Sequence, residues 1–239
     1  MKSSAIFGIV AILGASTSVS RGLTILSQNF DTDPVNYTNS PFAIDTVDPA
    51  QYWNLSNAPG IVVNPGVLGN ATTYLAGQNM DVDGDGFTLQ FTTGNPAGMN
   101  FDVNVTGYTN LQLSIDVAGM PTAEVENYVR GVIDQDGDGF YELMLFNFVG
   151  SNNSPYIDST LGALSETFAT FSSISIPSPT AANGVLHFRL EVFNDTNSQN
   201  EAVGIDNIVI SGVPEPGSAV LAATGGFMLL RRRKRRFAA

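Results

Sequence analysis

The sequence predicts an all-β fold, an antiparallel β-sandwich of the jelly-roll kind, and three observations carry that expectation. Leu111, Leu113, Ile115 and Val117 alternate with Gln112, Ser114, Asp116 and Ala118, the period of two that marks a strand with one buried face. Comparable runs recur at 22–30, 87–92, 128–133, 140–149, 168–176, 186–193 and 204–211. Clusters of Asn, Gly, Pro and Asp separate them, and no long window outside the two termini shows a helical period. About eight to ten strands in one domain are the signature of a sandwich.

Taken in order, the chain opens on Met1 and Lys2, followed by an apolar run over 5–15. That run has the length of a signal-peptide core and is too short for a membrane span. Ser18, Val19 and Ser20 offer the small residues that a signal peptidase reads, so residues 1–20 are expected to be removed before Arg21. Residues 21–211 form the sandwich domain in this reading, large enough for a sizeable core, and 212–239 form a C-terminal segment with a separate task. The stretch 37–69, rich in Asn and Pro, is expected to be a long loop region. Tyr37, Tyr52, Trp53, Tyr74, Tyr108 and Tyr156 fall in loop-like stretches, where rings either anchor the loop or stack on sugar faces. Trp53 with Tyr52 is the candidate ligand platform.

Composition narrows the partners. Seven of the ten basic residues lie at the two ends, leaving Arg21, Arg130 and Arg189 against every acid except Glu215. The domain thus carries a formal charge of about −18 and no lysine. Such a surface repels nucleic acid and anionic lipid, stays soluble and attracts divalent cations. The absence of cysteine removes disulfides, thiolate nucleophiles and zinc–sulfur sites together. Bound calcium is the staple this composition could offer instead.

Two loops carry the ligands for it. Asp81, Asp83 and Asp85 alternate with Val82 and glycines, and Asp134, Asp136 and Asp138 do the same between two strong strand patterns. Carboxylates at alternate positions resemble the first half of an EF-hand loop. The twelfth position holds Thr92 in one and Leu145 in the other where a bidentate Glu belongs, so both are partial ligand sets. Asp-Gly is equally the favoured pair of a tight hairpin turn, and the second loop could serve only to reverse the chain.

In 204–210, alternation places Asp206 on the face of Ile208 and Ile210, where a carboxylate needs a neutralising or hydrogen-bonding partner. This closing segment resembles the last strand of jelly-roll domains of the carbohydrate-binding and adhesin type. Many of these hold a structural calcium between an acid near the first strand and one in the last. Carried over by position, the resemblance implies Asp31 and Asp206, with Glu201 as a further member.

Catalytic constellations are not prominent. The single histidine, His187, shares a strand face with Val185, Arg189 and Glu191, opposite Leu186, Phe188, Leu190 and Val192. No G-x-S-x-G turn or HExxH helix accompanies it. A carbohydrate-active hydrolase using two of the many acids is the alternative function, although no pair can be selected from sequence.

The C-terminal segment is the most specific feature. Pro214, Glu215 and Pro216 form a stiff element, 217–230 is apolar or small without a charge, and 231–236 is entirely cationic, beginning with Arg231, Arg232 and Arg233. Read as a helix, the apolar part covers roughly 20 Å, so it needs snorkelling arginines to cross a bilayer core of roughly 30 Å. The basic end should stay cytoplasmic and the domain face outward. This combination resembles the PEP-CTERM sorting signal of Gram-negative bacteria. The resemblance implies a transient inner-membrane anchor, recognition by an exosortase, and delivery to the cell surface or an exopolysaccharide matrix. The resulting expectation is an exported structural or adhesive protein that binds polysaccharide, with calcium as an ordering ion.

Overall fold

The computed structural model describes residues 22–31, 37–39, 43–44, 52–56, 73–78, 96–152, 154–181, 183–194 and 202–215. The predicted signal peptide, Arg21, Asp81, Asp83, Asp85, the run at 87–92, Glu201, and the tail from Pro216 through Arg231, Arg232 and Arg233 lie outside these residues.

Two antiparallel sheets face each other, as the alternation predicts. The strands in chain order are β1 Leu23–Gln28, β2 Tyr37–Asn39, β3 Ala43–Ile44, β4 Tyr52–Ser56, β5 Tyr74–Gln78, β6 Ala97–Asn104 and β7 Tyr108–Gly119. They continue with β8 Tyr128–Asp134, β9 Leu143–Val149, β10 Ile157–Asp158, β11 Gly162–Ala163, β12 Ala169–Ile176, β13 Val185–Phe193 and β14 Ala202–Pro214. The first sheet runs β12-β7-β14-β5-β4-β3, with β1 also on β14; the second runs β11-β10-β9-β8-β13-β6-β2. Among the described residues no helix is long and apolar enough to cross a membrane.

The core forms where the two inner faces meet. Leu111, Leu113, Ile115 and Val117 of β7 oppose Leu186, Phe188, Leu190 and Val192 of β13, all fully or almost fully buried. Phe101 stacks on Phe188 with centroids 5.7 Å apart, and Phe148 of the second sheet meets Phe171 of the first at 4.9 Å. Each such ring removes a large apolar area from water.

The region expected to be a loop, 37–69, contains β2, β3 and β4. Trp53 sits on β4, paired with Gly77 of β5 and Ala43 of β3, and its side chain is 0 % exposed within the core. The expectation of a sugar platform at Trp53 is therefore corrected: the ring has no face open to a ligand, because strand alternation turns it inward. Tyr52, its neighbour, lies on the same strand. Tyr74 and Tyr156 are likewise buried.

β14 lies inside the first sheet, and its C-terminal half is held on both sides. Leu23 of β1 pairs with Gly212, and on the other side Val213 and Pro214 pair with Thr109 and Tyr108 of β7. The Glu215 amide then donates to the Gly107 carbonyl at 2.8 Å. The sheet thus runs past the expected boundary at 211, and the first two residues of the Pro-Glu-Pro motif are held by it, with Glu215 exposed.

Candidate functional site

The acidic loop at 134–139 closes the β8–β9 connection and is organised around one carboxylate. Asp134, the last residue of β8, is 3 % exposed. Its Oδ1 accepts the Gly137 amide at 2.7 Å and its Oδ2 the Gly139 amide at 2.9 Å. Gly137 and Gly139 have φ of 81° and 95°, a region that side chains avoid, and this aims both amides inward. Burial alone would raise the Asp134 pKa; the N–H groups of Gly139 and Gly137, with His187 and the Asp138 amide, outweigh it and hold the carboxyl below its ordinary value. Asp136 and Asp138, both exposed, accept the amides of Asp138 and Phe140. The three side chains each bring one oxygen within 4.8 Å of the others. Oxygen donors at that separation suit a hard cation such as calcium. The connection extends to Glu142, which accepts the Gln135 amide at 2.8 Å. Phe140, expected to begin a strand, lies in this loop with 75 % of its surface exposed.

The other acids expected to bind metal are placed apart from this group. Asp31, exposed after β1, accepts the Thr73 amide at 2.9 Å. Asp206 is 1 % exposed and sits opposite Asp116 of β7. Its expected face is corrected by a bulge between Asp206 and Val209, where Asn207 adopts φ 47°. The extra residue shifts the alternation, so Ile205 and Ile208 both reach the core while Asp206 turns to the far side of the sheet. There the Asn207 amide donates to Asp206 Oδ1 and the Asn207 side chain donates to Asp116 Oδ2, each at 2.7 Å. One asparagine thereby serves two facing carboxylates. Among the described residues, Asp134, Asp136 and Asp138 are the group of three acids that can share an ion.

Beside the acidic loop, the face of the second sheet turned away from the core carries ordered charge. Ladder register aligns Asn147, Arg130, Glu191 and Gly98 on one rung, Met144, Val132, Arg189 and Asn100 on the next, and Asp134, His187 and Asp102 on the third. Glu191 is 6 % exposed. The Arg130 Nε–H donates to its Oε2, and Arg189 Nε lies 3.1 Å from Oε1 without pointing along a hydrogen bond to it. Arg130 rests over the Tyr128 ring at 4.4 Å and Arg189 near the Tyr141 ring at 5.6 Å. A Cβ at Gly98 would lie 2.8 Å from the Arg189 guanidinium, so the glycine leaves the space this side chain occupies. Tyr141 donates to Asn100 Oδ1 at 3.2 Å, and His187 Nδ1 lies 2.7 Å from Asp102. Burial keeps the Tyr128 and Tyr141 phenols above their usual pKa, so both are neutral O–H groups.

At the β9 edge this face continues into an open cleft of about 540 Å³ lined by Met144, Asn147, Val149, Ile157, Asp158 and Thr160, among others. Asp158 orders its floor. Its carboxylate accepts the Asn147, Thr160 and Leu161 amides, and these bonds outweigh burial to lower its pKa.

Sequence reasoning grouped His187, Arg189 and Glu191 on one strand face, and the structure places them so. It did not bring in Arg130. The available signal was the scarcity of cations, since the domain interior to its ends has only Arg130 and Arg189.

The chain matches no known protein-family profile and no curated protein sequence. Solved structures match it at low identity. The K1 cleaved adhesin domain of Lys-gingipain from Porphyromonas gingivalis W83 is 14% identical, with TM-score 0.45, over 80% of this chain and 99% of that one. The K3 cleaved adhesin domain of the same protein is 12% identical, with TM-score 0.46, over 80% and 100%. The CBM22-1 xylan-binding domain from Paenibacillus barcinonensis Xyn10C is 10% identical, with TM-score 0.41, over 81% and 96%.

Proposed function

We propose that this is an exported structural or adhesive protein of the cell surface or extracellular matrix that binds polysaccharide on the outer face of its second sheet. The observation that carries the reading is the set of Tyr128, Arg130, Arg189, Tyr141 and Asn100, polar side chains and rings gathered around the buried Glu191 carboxylate beside an open cleft. Side chains already held in place lose little freedom on binding, and partly exposed polar groups such as Arg130 and Arg189 suit hydroxyl-rich ligands. Calcium is proposed to order the Asp134–Asp136–Asp138 loop next to this face, with water completing a ligand sphere that three carboxylates leave open.

The test is retardation of the full chain in native gels containing soluble polysaccharides, with calcium or with EDTA. Retardation by at least one polymer is expected, together with a melting temperature that rises in calcium. Saturation at a hundred times the dissociation constant corresponds to about 2.7 kcal/mol. Asp136→Asn should lose the calcium response while leaving the Asp134 carboxylate in place. No retardation by any polymer removes the polysaccharide reading; an unchanged melting temperature in EDTA removes the ion.

Export and sorting complete the proposal. Signal peptidase would act before Arg21, and an exosortase would recognise Pro214, Glu215 and Pro216 while the cationic end holds the tail in the inner membrane. In a bacterium that has an exosortase, replacing all six cations of 231–236, Arg231, Arg232 and Arg233 among them, with alanine is expected to abolish membrane retention of the precursor. Fractionation showing the same membrane-bound precursor and surface product as wild type would sink the sorting proposal.

A further inference from the structure

We infer that the outer face of the second sheet selects acidic saccharides, with Arg130 and Arg189 gripping the carboxylates of uronic-acid units. This inference rests on the polysaccharide reading and specifies its ligand class.

The observations concern how the two arginines are used. Both place Nε beside the same buried carboxylate, Glu191, and Arg130 alone hydrogen-bonds to it through Nε. Among the described residues neither guanidinium makes a hydrogen bond through its Nη groups, and the Arg130 and Arg189 side chains are 29% and 25% exposed. Each therefore presents a free pair of terminal donors; Arg130 is fixed by its bond to Glu191 and by the Tyr128 ring, and Arg189 is held by its ion pair with Glu191 near the Tyr141 ring. A planar fork of this kind matches a carboxylate through two parallel N–H···O bonds. Glu191 balances one of the two positive charges, and the carboxylates of Asp102 and Asp134 lie one rung further on, so the attraction offered to an anion is local to the two Nη forks. Asp102 is paired with His187.

Geometry extends the grip into a path. Asn147 lies beside Arg130 in the ladder and lines the cleft, so the cleft and Arg189 are separated by two strand spacings, about 10 Å. A polymer crossing the strands would lie on Met144, Val149 and Ile157, all exposed apolar side chains, before reaching the two forks. The acidity of the rest of the domain opposes a polyanion, which leaves the attraction to these two groups. Loss of either should accordingly have a large effect.

The experiment compares polygalacturonate with neutral xylan of matched length, titrated into the purified full chain and into Arg130→Gln and Arg189→Gln. Wild type is expected to bind polygalacturonate at least tenfold more tightly than xylan, and each variant to lose about tenfold for polygalacturonate only. Arg189→Lys keeps the charge against Glu191, and hence the fold, while removing the fork; it should also weaken polygalacturonate binding severalfold. Melting temperatures establish that each variant is folded. Equal or tighter binding of xylan by wild type overturns the acidic-saccharide inference while leaving the polysaccharide reading intact. Full affinity for polygalacturonate in folded Arg189→Gln and Arg189→Lys overturns the role given to the forks. Binding of neither polymer counts against both, and the gels above then decide whether any polysaccharide is bound.

Discussion

Trp53→Ala is expected to lower the free energy of unfolding by about 3–5 kcal/mol, the usual result of truncating a fully buried large aromatic. The side chain is wholly inaccessible and belongs to the main core. Its strand is held between β3 and β5, so the cavity left behind has little means of collapsing. For a domain of this size the loss corresponds to a fall of roughly 6–20 °C in melting temperature. Polysaccharide affinity, measured below that transition, should be unchanged. A folded variant with normal stability and lost binding would reverse this assignment and restore the indole as a ligand platform.

Gly150→Ala is expected to cost about 3 kcal/mol, at the upper end for overpacking. The residue follows β9, and its amide donates to the Asn127 carbonyl at 2.8 Å. A Cβ built there would lie 1.9 Å from the Glu124 carbonyl oxygen and 2.7 Å from the Ala123 side chain. The first of these is backbone and cannot swing aside. Ala123 is itself buried and bridged to Ser154, so the segment before β8 would have to lift from the end of β9. Thermal or urea unfolding checks the value. Wild-type stability in Gly150→Ala would show that this contact is looser than its geometry states.

The strands legible in the sequence were those with one wet face. β7, β12 and most of β13 alternate in burial, and these strands, with β8 and β14, agree with the expected runs to within a few residues. β5 was illegible for a physical reason: Tyr74–Gln78 is buried along its whole length, so no polar residue marks a solvent side. β6 does alternate, with Met99, Phe101 and Val103 inward, but its Asn and Asp neighbours resemble turn residues. At β14 the alternation misled, because an asparagine at positive φ inserts a bulge that a regular pattern does not announce.

The acidic loop was legible because its three carboxylates are close in sequence. Which acid would organise it was not, since the bonds from Gly137 and Gly139 to Asp134 depend on backbone angles. The arginine pair was out of reach for a different reason. Arg130 and Glu191 are brought together only by the pairing of β8 with β13, and no local pattern states which strands become neighbours.

The pairing of the start of β1 with the end of β14 has a mechanical consequence. β1 and β14 are antiparallel, with Leu23 beside Gly212. A pull applied between the two ends would therefore separate their ladder from one end, breaking its cross-strand bonds in succession at low force. A tether through the C-terminal end and a load on the face of the second sheet act differently. Tension then enters along β14, which is bonded to β1 on one side and to β7 on the other, and those bonds share it in shear. The strand that leads to the tail is thus the one best placed to bear traction.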